Sequence, residues 1–183
     1  WGSNYVVHVD FGCDNANITG NAIYALGSDY VYGINIYSQN FIIEKNNVIV
    51  ESDVSYACGI NPDAGASGVV NNNIVTAVGL GTVYGIYSGM WDSASPLTVN
   101  YTNNDVYARG FFGCGIELGG SKENVVGNTI TAEGNYTYGI VASIRDNGTI
   151  SGNTIKSVGS NVGSEATGDS LLPKNSMGLS VKG

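Results

Sequence analysis

Side chains able to do chemistry are few in this chain, and they do not cluster. His8 is its single histidine, and a lone histidine is more often structural or exposed than a general base. Lys and Arg total 7 against 15 Asp and Glu, and Lys45, Arg109, Lys122, Arg145 and Lys156 share no repeat position. Glu51 and Asp53 flank one turn, Glu133 falls at a similar place further on, and Asp29 lies in the corresponding turn of an earlier repeat. Carboxylates striped along one corner could bind Ca²⁺, which takes about six to eight oxygen ligands. The glycine- and aspartate-rich nonapeptide of dedicated calcium coils does not occur. A solvated acidic edge is therefore the expectation, with no metal ligand assigned and no other cofactor. Phosphate-binding loops, dinucleotide fingerprints and a Gly-x-Ser-x-Gly elbow are also missing from the sequence. No catalytic residue is assigned, and the chain reads as a non-enzyme.

Binding chemistry has more to offer. Trp91 stands between Met90 and Asp92 in the insertion Ser88–Pro96, just after Tyr87. An aromatic in an insertion is not needed for a core, and loops of this kind often carry function. Tyr87, Trp91 and Asp92 are thus the candidate ligand contacts, by ring stacking and hydrogen bonding. Asn17, Asn100, Asn135 and Asn147 each head an Asn-x-Thr sequon, which matters if the chain is exported by a cell that N-glycosylates. The net charge of −8 offers no basic face for nucleic acid and disfavours anionic lipid. No stretch reads as a signal peptide or a membrane span. Cys13, Cys58 and Cys114 are odd in number and widely spaced, so they read as free thiols rather than a disulfide framework or a zinc site.

The scaffold for these residues is a repeat. Asn21, Asn46, Asn72, Asn104, Asn128 and Asn153 recur at spacings of 25, 26, 32, 24 and 25 residues. Each leads, about ten residues on or after a longer gap, to Gly33, Gly59, Gly85, Gly115, Gly139 or Gly178, followed by Ile or Leu. Val- and Ile-rich segments with 27 Gly and little Lys disfavour helices. A period near 25 suits one coil of a parallel β-helix with three short strands. The expected fold is all-β: a single-stranded right-handed parallel β-helix of about six to seven coils. Residues 1–183 form one such segment, a fragment of a longer repeat protein. Residues 1–14 end a preceding coil, and 160–176 form a long polar loop in the last one.

The anchors have a physical reading. An Asn at one place in every coil can bond the coil above and the coil below, because its amide has donors and an acceptor. Gly within a strand marks a sharp bend or a close backbone approach, and the Ile or Leu after it points inward. Before that Gly stand Tyr32, Cys58, Tyr84, Cys114 and Tyr138, large and small in alternation. Two residues earlier stand Tyr30, Tyr56, Thr82, Phe112 and Tyr136. Stacking in the core is the favoured reading of both columns; an outward aromatic ladder for sugar rings or a partner is the other.

The Asn-x-Ile/Val and Tyr-Gly-Ile repeats, from about residue 5 to 181, resemble the right-handed parallel β-helix repeats of large surface proteins, particularly the adhesin-like proteins of methanogenic archaea. The resemblance implies an extracellular or cell-surface module, forming a stalk, a filament or a binding face. Its partners would be cell-surface glycans, proteins of another cell, or neighbouring subunits end to end. Pectate lyases and polygalacturonases, β-helices that act on polysaccharides, carry clustered catalytic residues that this sequence does not match. A carbohydrate-binding module is the first alternative, and a polysaccharide lyase or hydrolase the second.

Overall fold

A computed structural model describes residues 2–63, 65–89, 98–120, 122–142 and 148–159, together with the backbone of 176–181. The fold is a parallel β-solenoid of about five turns, slightly fewer than the repeat suggested. After β1 (Ser3–Val9), the chain passes through β2 (Asn17–Thr19), β3 (Ala22–Gly27) and β4 (Tyr30–Ile36), then repeats the circuit. The second turn is β5 (Phe41–Glu44), β6 (Asn47–Ser52) and β7 (Tyr56–Pro62); the third is β8 (Ser67–Asn71), β9 (Ile74–Gly79) and β10 (Thr82–Ser88). In the next two turns the second and third strands fuse. There β11 (Thr98–Thr102) precedes the 14-residue β12 (Asp105–Leu118), and β13 (Asn124–Val126) precedes the 14-residue β14 (Thr129–Ala142). β15 (Thr149–Ser151), β16 (Thr154–Gly159) and β17 (Ser176–Val181) follow. All pairings are parallel. β2, β5, β8, β11, β13 and β15 make one face. β3, β6 and β9 line up with the first half of β12, and β1, β4, β7 and β10 with its second half.

Inward positions of the three faces form one hydrophobic core. Ile18, Ile43, Val70, Tyr101 and Val125 come from the first face, Ile23, Val48, Val75, Val106 and Ile130 from the second, and Ile34, Ile60, Ile86, Ile116 and Ile140 from the third. Phe41 and Tyr101 are the largest side chains fully buried there. Each column is a stack of similar residues because the parallel register places equivalent positions directly over one another.

The corner between the first two faces holds the asparagine ladder. Asn21, Asn46, Asn73, Asn104 and Asn128 each donate both the backbone N–H and the side-chain amide to the Oδ1 of the next, ending on Asn153. These distances run from 2.9 to 3.0 Å. From Asn46 onward, each amide also donates to a first-face carbonyl of the preceding turn, as Asn104 Nδ2 does to Val70 O at 2.9 Å.

One expected rung is corrected. Asn73, and not Asn72, belongs to the ladder. Asn72 occupies the preceding position, where φ is 53°, and Gly20, Lys45, Asn103, Gly127 and Gly152 hold the same left-handed place ahead of their rungs. Asn tolerates that conformation without joining the ladder. The shift also sorts the next pair: Ile74 is 54% exposed, whereas Val75 is fully buried.

The glycine column is a close-approach column. A Cβ on Gly33, Gly59, Gly85 or Gly115 would stand 2.5 to 2.7 Å from the carbonyl oxygen of the next glycine and press on Val48, Val75, Val106 or Ile130 across the core. These glycines therefore face inward, and their missing side chains let the second and third faces meet. Gly139 continues the column in β14, and Gly178 lies in β17.

The ladder gives a direct test. Asn73→Ala leaves buried carbonyl and N–H groups unpaired in two turns and is expected to cost about 2–3 kcal/mol in urea unfolding. Asn72→Gly, at positive φ, should change stability by no more than about 0.5 kcal/mol. Equal effects at the two positions would refute the assignment.

Candidate functional site

On the third face the alternation of inward and outward side chains breaks at the glycine. Val31 and Gly33 point inward, but so do Ile34 and Ile36, so two adjacent residues share one side. The strand therefore bends there, and the residues outside the core lie on two arms. Ring contacts show that the arms face each other: Tyr5 meets His8 at a centroid distance of 4.9 Å, and Tyr84 meets Tyr87 at 4.6 Å. Shielding agrees, since Cys58 and Cys114 have no exposure although they lie outside the core column. The outer side of the bend is thus a groove running along the solenoid axis.

Both aromatic columns stand on this outer side and not in the central core where stacking was expected, although Cys114 and Tyr138 are buried there in a second hydrophobic cluster with Val141, Tyr84 and Phe112. Their parity forces the outcome: Tyr32 lies between the inward Val31 and Gly33, so it must point outward. The columns also interlock. Rings follow one another from Tyr5 to Tyr32, Tyr56, Tyr84, Phe112 and Tyr138, with centroid separations of 4.9, 5.4, 5.7, 6.1 and 5.5 Å. The ribbon zigzags between columns. Where the first column has the small Cys58 or Cys114, the second supplies Tyr56 or Phe112; where the first has Tyr84, the second has only Thr82. Tyr30 and Tyr136 stand aside from the ribbon, against Tyr56 and Phe111 respectively. At the inter-strand spacing, the five steps of the ribbon extend about 24 Å.

The second arm is polar. Its register reads His8, Asn35, Asn61, Tyr87, Glu117 and Val141. Asp63, at the end of this arm, accepts from Tyr37 at 2.9 Å and from the Asn61 amide at 3.4 Å. Burial pushes the Glu117 carboxyl above its ordinary range, and the Tyr84 hydroxyl draws it part of the way back. Burial also lifts Tyr87 to about 12, with Glu117 the next cause. Tyr32, Tyr56, Tyr84 and the Cys58 thiol are raised further, again chiefly by burial. Among the described residues, three buried polar atoms of the groove have no hydrogen-bond partner: Asn35 Oδ1, Asn61 Oδ1 and the Tyr138 hydroxyl, on residues 2, 3 and 3% exposed. Buried polar groups are rarely left so, and their concentration on one face marks the groove as the candidate site.

The other sequence candidates are dispersed. Tyr87 is in the groove; Trp91 and Asp92 lie outside the described residues, as does Asn147. Asn17 is exposed on β2, Asn100 accepts from Asn124 at 2.8 Å, and Asn135 lies in β14 two residues before a fully buried Thr137. The carboxylate stripe does not form. Glu51 and Glu133 share a column, but Val78 and Arg109 separate them. Among the described residues no group of three or more metal-ligating side chains occurs. Glu51, Asp53 and Arg109 instead line a separate open groove of about 580 Å³ with Leu26, Leu80 and Phe111, at the corner between the second and third faces. Asn35, Asn61, Asp63 and Glu117 were not singled out by sequence. The available signal was the pairing of an inward Gly with an inward Ile, which places the flanking residues on opposed arms.

No family model matches the chain, and neither a curated protein nor a solved structure does.

A second polar cluster lies inside the solenoid. Glu123 is fully buried. Its carboxylate accepts from Ser88 Oγ at 2.5 Å, the Tyr101 hydroxyl at 3.1 Å and the Gly120 N–H at 2.6 Å. Burial pushes it up to about 7, against the pull of these three donors. A raised folded pKa favours the protonated form, so this stabilisation is complete below the unfolded value near 4.5 and is lost as pH rises to about 7. Glu123→Gln removes that loss. Its unfolding free energy relative to the parent should rise by about 3 kcal/mol between pH 4 and pH 8. A flat difference across that range would show that the donors hold the carboxylate ionised.

Proposed function

We propose that this solenoid is a non-catalytic binding module of an adhesin-like surface protein, and that its third-face groove takes an extended glycan. The observation that carries this reading is the continuous aromatic ribbon facing an arm of amides and carboxylates. Sugar rings present apolar C–H faces, which stack on aromatic rings, and equatorial hydroxyls, which bond amides and carboxylates. A glycan lying along the axis would set successive sugars on successive turns. The resemblance of the repeat to surface proteins supports an extracellular setting, in which a solenoid holds the groove away from the cell. The sequon at Asn17, exposed on the first face, leaves the groove clear if it is glycosylated.

A hydrolytic reading has one observation in its favour. Glu117 and Asp63 both act on Tyr87 electrostatically, so two carboxylates approach one stretch of the groove. Glycoside hydrolysis uses such a pair, one of them with a raised pKa. New reducing ends from a bound polysaccharide would establish it; intact glycan after prolonged incubation would leave the binding module.

The binding reading is tested on a glycan array and by calorimetry. Tyr87→Ala should weaken the best glycan at least tenfold, about 1.4 kcal/mol. Phe111→Ala, in the corner groove, should leave affinity unchanged. If no glycan binds the parent, or if the two variants behave alike, the groove is not the site.

A further inference from the structure

We propose that the corner between the second and third faces is a self-association surface, through which two copies of this chain pack side by side and antiparallel. None of the rings of the aromatic ribbon lines this corner, so the proposal is independent of the glycan reading.

The corner exposes apolar side chains together. Leu26, Leu80 and Phe111 line its open groove of about 580 Å³ and are 63, 71 and 53% exposed. Leu80 is the most exposed of the large hydrophobic residues described. Apolar side chains gathered in this way mark an interaction surface. The charges beside them are unused. Among the described residues, no hydrogen bond or ion pair reaches the side chains of Glu51, Asp53 or Arg109; the ion pair present joins Lys45 to Glu44 on the first face.

The order of residues along the corner selects a second copy as the occupant. On the second-face wall the column reads Leu26, Glu51, Val78, Arg109 and Glu133, one residue per turn. A two-fold axis at Val78 sets two such columns antiparallel. Val78 then meets its own counterpart. Glu51 meets Arg109 of the second copy, and the axis makes this pair twice. Asp53 lies in the turn of Glu51, so each guanidinium faces two carboxylates. Leu80 lies in the turn of Val78, which puts apolar side chains at the centre and charges outside, as in specific interfaces. Glu133 falls opposite Leu26 and keeps the bond it accepts from the Tyr107 hydroxyl at 2.8 Å. The other registers fail. An axis at Glu51 or Arg109 sets like charges together, and an axis between turns sets Glu51 against Val78 or Glu133. A two-fold along the solenoid pairs every residue with its like. The groove from Leu26 to Asn135 covers four steps, about 19 Å. So short a strip fits a weak, reversible dimer.

Charge sets the sign of the key comparison. The chain carries a net charge of −8, so general repulsion opposes self-association. Glu51→Arg makes the chain less negative, and general repulsion therefore predicts tighter association. The register centred on Val78 predicts the opposite, because two guanidinium groups then meet.

Sedimentation velocity over a concentration series reaching about 500 µM tests the pairing. The parent should pass from monomer to dimer and form no larger species, since a two-fold interface closes. Glu51→Arg and Arg109→Glu should each weaken the dimer about tenfold or more. An equimolar mixture of the two variants should recover the parent's affinity to within about threefold, because every pair is again a carboxylate against a guanidinium. Leu80→Ser, at the apolar centre, keeps the test decisive if a charge variant fails to fold: it should weaken the dimer about tenfold. A parent that stays monomeric throughout overturns the proposal. So do variants that dimerise as the parent does, which would place association at another surface such as the open strand edges, and a mixture of folded variants that stays monomeric.

Discussion

Parallel stacking at one strand spacing is the constraint from which the rest of this structure follows. Each turn lies about 4.8 Å above the last, so any side chain has its counterpart directly over it. A polar residue at a corner must then bond its own kind, and asparagine can, because it carries donors and an acceptor in one amide. A bulky residue must instead find room. In the third-face groove a full column of tyrosines is avoided by alternating Tyr with Cys and filling each Cys space from the neighbouring column. Ladder and ribbon are two answers to the same geometric demand.

The constraint also explains how much could be read in advance. The period, the parallel architecture and the glycine bend were legible because each turn repeats the same local chemistry. The Asn72 and Asn73 error arose where three asparagines run together, Asn71 to Asn73. Spacing alone cannot choose among adjacent identical residues, and the left-handed φ at Asn72 decides it. The aromatic columns were expected in the core, with an outward ladder as the other reading, and what sets them outside the central core is the bend at the glycine, where two adjacent residues share one side. Glu117 and Asp63 were invisible for a different reason. They belong to different turns, and they approach Tyr87 because the parallel register sets the second arms of neighbouring turns side by side. No single repeat contains that information.

Core and groove divide the burden differently. The core is made of residues that could be exchanged among turns, Ile for Val or Val for Ile. The groove is not uniform: going along the polar arm, the same position is Asn61, Tyr87 and Glu117 in successive turns. Stability thus rests on what repeats, and the chemistry of the groove on what differs between repeats. Glu123 is the exception within the core, a carboxylate held by Ser88, Tyr101 and Gly120 at a place where the other turns are not required to match it.

The asparagine ladder has a direction. Within it each amide donates to the Oδ1 of the rung in the following turn, so the amide-to-amide bonds all point one way along the axis. Such a chain has translational grammar: a turn that fits at one place fits at any other. A whole turn copied within the gene would find its bonds already specified on both sides, and it would lengthen the ribbon by one ring. The length of the groove then becomes a quantity that evolution can adjust by duplication, without inventing a new contact.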